Sequence, residues 1–232
     1  MATCSYLGLI RGRPWARTVR AHVRSLLRTR RYTDHLDSAE SVIRSLAFTI
    51  ETRDAYTQGH CRRLSEYAVA LGRQLALSEA DLDALRRGGI LHDIGKVGIP
   101  DVVLLKRGPL TRDEFEIMKQ HTVIGERLCG KVSSLDHVRP IVRHHHERLD
   151  GTGYPDGLRG EAIPLLAQIV GVVDVFDALT TDRPYRQAAT REEACSELEE
   201  EATRGWRRAD LVDRFTSLVR AGYIPITKDR RG

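Results

Sequence analysis

Residues 78–100 read SEADLDALRRGGILHDIGKVGIP. Ser78 is a helix-starting residue, and Leu82 and Leu85 fall on one helical face behind it. The helix presents His92 and Asp93 at its far end, and the segment from Gly95 to Pro100 then breaks it. Working outward, the same periodicity recurs on both sides. Leu64, Tyr67, Ala68, Leu71 and Leu75 mark one apolar stripe. Thr111 and Glu114 form a capping box ahead of Phe115, Met118, Ile124 and Leu128. Val138, Ile141 and Val142 begin a stripe that runs up to three consecutive histidines. Pro164 suits a first helical position, with Ile169, Val172, Val173 and Phe176 facing inward behind it. Thr190 and Glu193 make a second capping box, and Leu211, Phe215 and Leu218 suggest a last helix. Strand-like alternation is almost absent, and no internal repeat occurs. The sequence predicts an all-α bundle of roughly seven to nine helices. One further segment refuses helix: Leu149 to Gly160 holds four glycines and Pro155 in twelve residues, a loop by composition.

With 232 residues, 41% hydrophobic and 30% charged, the chain has the composition of a soluble globular protein. Its longest apolar stretch, Ile163 to Val173, is interrupted by Gln168 and ends at Asp174. It is too short for a bilayer, which takes about 20 apolar residues. No secretory signal precedes it, since Arg11 and Arg13 follow rather than lead the short apolar patch. A cytoplasmic location without membrane attachment is expected. Cys4, Cys61, Cys129 and Cys195 lie far apart and read as free thiols. Residues 1–33 hold eight arginines and no lysine or acid; they account for +8 of the net +5, which leaves −3 for the remainder. No nucleic-acid motif accompanies this basic arm, so it reads as a solvated helix face rather than a DNA-binding surface.

Six of the nine histidines gather at four places: His60, His92, His121 and the run His144-His145-His146. A lone histidine on an amphipathic helix is a weak sign of a ligand, and so is a lone His-Asp pair. Adjacent helical residues point in different directions, and His92-Asp93 makes chemical sense if the two serve a pair of metals bridged by the carboxylate. Imidazole with carboxylate suits iron, manganese or zinc.

Two long motifs now carry a resemblance. His92-Asp93-Ile94-Gly95-Lys96-Val97-Gly98-Ile99-Pro100 resembles the first half of the HD-GYP signature. His145-His146-Glu147-Arg148-Leu149-Asp150-Gly151-Thr152-Gly153-Tyr154-Pro155-Asp156-Gly157-Leu158 resembles the second. His121 lies between them and Asp174 after them, and the likeness covers Ser41 to Val219. One departure is Leu149, where many relatives have tryptophan.

The resemblance implies an HD-superfamily helical bundle that hydrolyses cyclic di-GMP with two divalent cations, iron or manganese, to the linear dinucleotide, to GMP, or to both. Carried over residue by residue, it makes His60, His92, Asp93, His121, His145, His146 and Asp174 the metal ligands, with His144 a neighbour. Asp93 and Lys96 take catalytic roles. Lys96, Tyr154, Asp177, Arg183 and Arg186 match positions lining the dinucleotide site, where arginine grips phosphate or guanine edges and Tyr154 stacks on a base. All seven ligand positions carry competent side chains, which favours an active enzyme over a non-catalytic cyclic-dinucleotide sensor. The glycine loop disfavours an HD phosphohydrolase of ordinary nucleotides.

The remaining expectations concern the ends of the chain and metal number. Val19, Val23, Leu26 and Leu27 form a helical stripe, and the run from Val19 to Glu40 resembles the last receiver helix and linker of response regulators with HD-GYP outputs. The expected division is therefore a linker over 1–40, the domain over 41–220 and a tail over 221–232. Leu36, Ile43 and Leu46 fit either a dimerising helix, giving a homodimer, or a helix packed on its own domain. A three-iron branch of the resembled family has a glutamate four residues before the first ligand. Here Tyr56 stands four residues before His60, and a neutral phenol is a poor ligand, which points to two metals. The alternative is that Asp54, rather than the more distant Glu51, supplies the missing carboxylate.

Overall fold

The computed structural model describes residues 40–50, 59–182 and 187–224. The chain divides into two units, Met1–Val42 and Ile43–Gly232. Residues 40–50 are helical (α1). In the second unit follow α2 (His60–Gln74), α3 (Glu79–Leu91), a 3-10 turn (Ile94–Gly98), α4 (Asp101–Leu104) and α5 (Arg112–Cys129). A 3-10 turn (Ser133–Leu135) leads to α6 (Arg139–His144); then come a 3-10 turn (Gly160–Ala162), α7 (Leu165–Thr180), α8 (Arg191–Thr203) and α9 (Ala209–Arg220). No strand occurs among the described residues; a single bridge joins Asp150 to Arg159 across the glycine-rich loop. The all-α expectation holds.

The predicted stripes face the core. Leu64, Tyr67 and Leu71 of α2 pack with Leu82 and Leu85 of α3, with Ile169, Val173 and Phe176 of α7, and with Leu198, Leu211 and Phe215 from α8 and α9. Three rings anchor this core edge to face: Tyr67 to Phe176 with centroids 6.1 Å apart, and Phe176 to Phe215 at 5.1 Å. Burial pushes the Tyr67 phenol up to about 12. Ser78 caps α3 through the Asp81 N–H. Thr111–Glu114 and Thr190–Glu193 both form complete capping boxes.

Three details differ from the sequence reading. The segment after Asp93 is a 3-10 turn rather than an open loop. A Cβ at Gly95 would lie 1.8 Å from the His121 carbonyl oxygen, so this turn lies against α5 closely enough that only glycine fits. Phe115 and Leu128, expected inward, are exposed, because α5 buries a narrow face made of small and polar residues (His121, Thr122, Gly125 and Cys129). Pro164 is the N-cap of α7, one residue before its first helical position. Ile43 is half-buried and Leu46 exposed on α1; Val19, Val23, Leu26, Leu27 and Leu36 lie outside the described residues. Cys61, Cys129 and Cys195 are buried, and none forms a disulfide among the described residues. Among the described residues, no helix is long and apolar enough to cross a membrane.

Candidate metal centre

Helix ends build the site. His60 opens α2; His92 caps α3, and Asp93 leads into the 3-10 turn; His121 comes from α5; His145 caps α6, with His146 just beyond; Asp174 and Asp177 lie one turn apart on α7. Because α6 stops at His144, the backbone turns there and the next two imidazoles converge, with ring centroids 4.0 Å apart.

The seven expected ligands fall into two groups, each close enough to share one cation: Asp93, His121, His145 and His146, and His60, His92 and Asp174. Asp93 faces both. Its Oδ2 is 3.3 Å from His92 Nε2, and its Oδ1 is 3.3 Å from His121 Nε2. Lys96 Nζ lies 2.7 Å from Oδ2.

The far side of each ring fixes its tautomer. Nδ1 of His92, His121 and His145 lies 3.0, 2.8 and 3.0 Å from the carbonyls of Gly89, Met118 and Val142, three residues back in each case. A carbonyl only accepts, so each Nδ1 donates and each Nε2 of a neutral ring is left as a lone pair aimed inward. His60 Nδ1 donates to Asp177 Oδ2 at 2.7 Å. Its Nε2 therefore stands lone pair to lone pair against His92 Nε2, 3.3 Å away. Nε2 of His121 and of His145 is buried without a hydrogen-bond partner. Converging buried lone pairs beside carboxylates are what a divalent cation satisfies, and the residues fit one in each group.

The electrostatics agree. Burial, and then the neighbouring imidazoles, hold His145 and His146 well below the ordinary histidine value; burial also lowers His121. At His92 burial acts the same way, but the Asp93 and Asp174 carboxylates outweigh it and the pKa is raised. Burial works against the charged form of Asp93 too, yet Lys96 and His92 prevail and keep it well below the usual carboxylate range.

A third cluster, His144, Glu147 and Asp156, lies apart from these. Both Glu147 oxygens accept backbone N–H groups of the glycine loop, from Asp156 at 2.8 Å and Leu158 at 3.1 Å. Arg143 grips Asp156 through Nε and Nη2 at 2.7 and 2.8 Å. These bonds tie down the loop and account for the carboxylates, so His144 stands as a neighbour of the ligands.

A cavity of about 520 Å³ opens over the metal groups, within the usual range for a small-ligand site. Lys96 and Tyr154 line it, as expected. The Tyr154 ring lies against His146 with centroids 4.7 Å apart, and Phe115 meets it edge-on at 6.0 Å. Burial pushes its phenol far up. Asp177, expected among the substrate contacts, also borders the cavity, but its side chain is 2% exposed and is engaged by His60 and by Arg63 Nε at 2.5 Å. Arg183, Arg186, Glu51, Asp54 and Tyr56 lie outside the described residues. Sequence reasoning missed Arg63, Lys119, Arg148, Glu201 and Arg207, all at or beside this cavity. Arg63 stands three residues after His60, a spacing that could have revealed it; nothing local marks the others.

With this geometry in place, comparison assigns the class: a family model described as HD domain matches residues 44–207, and the chain belongs to that family. Within it, the two motifs and the relatives place it in the HD-GYP branch. It is 49% identical over 155 residues to "Cyclic di-GMP phosphodiesterase response regulator RpfG" of Xanthomonas campestris pv. campestris (strain 8004), covering 66% of this chain and 41% of that protein. It is 38% identical over 167 residues to "3'3'-cGAMP-specific phosphodiesterase 3" of Vibrio cholerae, covering 71% and 36%. The chain thus spans less than half the length of these relatives. A HDG"Y"P protein from Bdellovibrio bacteriovorus shares the fold, with a TM-score of 0.60 at 22% identity over 82% of this chain and 63% of that one.

Proposed function

We propose that this chain hydrolyses cyclic di-GMP as a metal-dependent phosphodiesterase, with two cations, iron or manganese, held by the two ligand groups. The observation that carries the reading is the placement of Asp93, one oxygen facing each group, beneath a cavity lined by cationic side chains. Bound there, the cations would supply Lewis-acid activation of water and of the phosphodiester at neutral pH. His60, His92 and Asp174 would hold one, and His121, His145 and His146 the other, with Asp93 placed to serve both. Lys96, drawn to the site by Asp93, binds a phosphate oxygen of the substrate. Tyr154, backed by His146 and Phe115, offers a ring face to a base. Asp177 orients His60, and Arg183 and Arg186 complete the dinucleotide contacts. The catalytic domain runs from 41 to 220, with residues 1–40 as a regulatory connection that can also pair two copies, and a tail over 221–232. The location is cytoplasmic, and the relatives named as phosphodiesterases of cyclic di-GMP and of 3'3'-cGAMP support the substrate class.

The test is hydrolysis by protein reconstituted with iron(II) or manganese(II), with products resolved by chromatography and a nucleoside triphosphate as the competing substrate. Linear dinucleotide or GMP from cyclic di-GMP is expected. Hydrolysis of the triphosphate alone would overturn the reading.

A further inference from the structure

Arg204-Gly205-Trp206-Arg207-Arg208 joins α8 to α9. Three arginines in five residues read as a solvated turn, yet Arg207 is 8% exposed and borders the cavity, as does the buried Glu201 one turn before the end of α8. Arg207 Nε donates to Glu201 Oε2 at 2.8 Å. A Cβ at Gly171 would lie 2.6 Å from Arg207 Nη1, so the guanidinium rests on α7 one turn before the ligand Asp174.

The turn is clamped to the glycine loop. The Leu149 N–H donates to the Trp206 carbonyl at 3.1 Å, and the Trp206 N–H donates to the Glu201 carbonyl at 2.9 Å. The Arg148 guanidinium lies 3.7 Å above the indole and also lines the cavity.

A buried ion pair costs desolvation and is weak evidence for a purely stabilising role. The single bond between Arg207 and Glu201 uses Nε and Oε2 and leaves the Nη donors and the Oε1 acceptor for other use. A donor beside an acceptor complements the edge of guanine, whose O6 and N7 accept while N1–H and the N2 amino group donate. Adenine reverses the pattern, placing its N6 amino donor against the guanidinium. A site built to hydrogen-bond one base rejects another because its own buried groups are then left unpaired.

We propose that Glu201 and Arg207, fixed in place by Trp206 and Arg148, read the guanine edge of the bound nucleotide and set base specificity. This rests on the cyclic di-GMP reading and deepens it. The test is calorimetric binding of GMP and of AMP to the metal-loaded full chain, with metal content and melting temperature as controls. The wild-type protein is expected to prefer GMP by about tenfold or more. Glu201→Gln keeps the shape but replaces an acceptor with a group that can donate; it should erase the preference by weakening GMP while sparing AMP. Arg207→Lys, which keeps the charge and loses the planar fork, should do the same and serves if the glutamine variant fails to fold. No preference in the wild-type protein would overturn the proposal, as would an intact preference in either folded variant. Equal weakening of both nucleotides would overturn it too, since it would mark a pair that only supports the turn. A protein that prefers GMP but does not cleave cyclic di-GMP would refute the proposed function while leaving this inference standing.

Discussion

Asp177 stands behind His60, its Oδ2 2.7 Å from Nδ1, and turns the ring so that Nε2 meets His92 and Asp174. Arg63 holds the same carboxylate through Nε and Nη2 at 2.5 and 2.9 Å. Largest among the influences on Asp177 is burial, which disfavours its charge, but the bonds from His60 and Arg63 overcome it and leave the pKa lowered.

Asp177→Asn should therefore weaken the metal group on that side selectively. Loss of a carboxylate behind a ligating histidine typically costs 10–100-fold in affinity. Titration with manganese(II) should show one tight equivalent retained, by His121, His145, His146 and Asp93, and one weakened by about that factor. Unchanged affinity at both would remove Asp177 from the site.

Glu147 anchors the glycine loop by two backbone N–H groups, and its side chain is fully buried. Hydrogen bonds to a charged group contribute about 1.5–3 kcal/mol each. Glu147→Ala should lower stability by about 3–6 kcal/mol, the sum of the two bonds, and displace Tyr154, raising KM for the cyclic dinucleotide more than it lowers kcat. Glu147→Gln keeps one acceptor and should fall between. Denaturant unfolding and steady-state kinetics check both parts; an unmoved KM in the alanine variant would separate the loop from substrate binding.

The candidate ligands were named through the resemblance of the two motifs, with His121 between them and Asp174 after them, and the structure brings all seven side chains together in two groups. The helices were legible because their apolar stripes bury one face. Phe115 misled for the same reason: on α5 the buried face is small and polar, and the phenylalanine goes to the cavity mouth beside Tyr154. Glu201 and Arg207 were invisible since a charged residue near a helix end is ordinarily solvated, and only the docking of Trp206 on Leu149 turns that segment inward. The resemblance puts Asp177 at the dinucleotide site, and it does border the cavity, but its Arg63 partner comes from another helix and no motif reveals that pairing.

His92→Ala combined with Asp93→Ala should abolish hydrolysis and leave the helical circular dichroism spectrum nearly unchanged. The pair removes a proposed ligand and the carboxylate that faces both groups, while the apolar packing of α3 rests on Leu82, Leu85 and Leu91. Metal content should fall along with activity. Full turnover by the metal-replete double variant would sink the metallohydrolase reading.

Metal number gives the last test. The candidate ligands make two groups that both face Asp93, the arrangement on which the proposal of two cations rests. A third would need a further carboxylate near His60, and the residue four positions before it in sequence is Tyr56, a phenol with an ordinary pKa of about 10. Asp54 is the acid to test, six residues before His60 in sequence and ahead of Gly59, whose backbone is left-handed at φ +76°. Metal analysis of protein purified without oxygen or chelator should return two equivalents per chain, and Asp54→Ala should not change that number. Exhaustive chelation should abolish hydrolysis, and adding back two equivalents should restore it fully. A reproducible three equivalents, falling to two in Asp54→Ala, would show instead that Asp54 completes a third site and that Tyr56 does not limit the count.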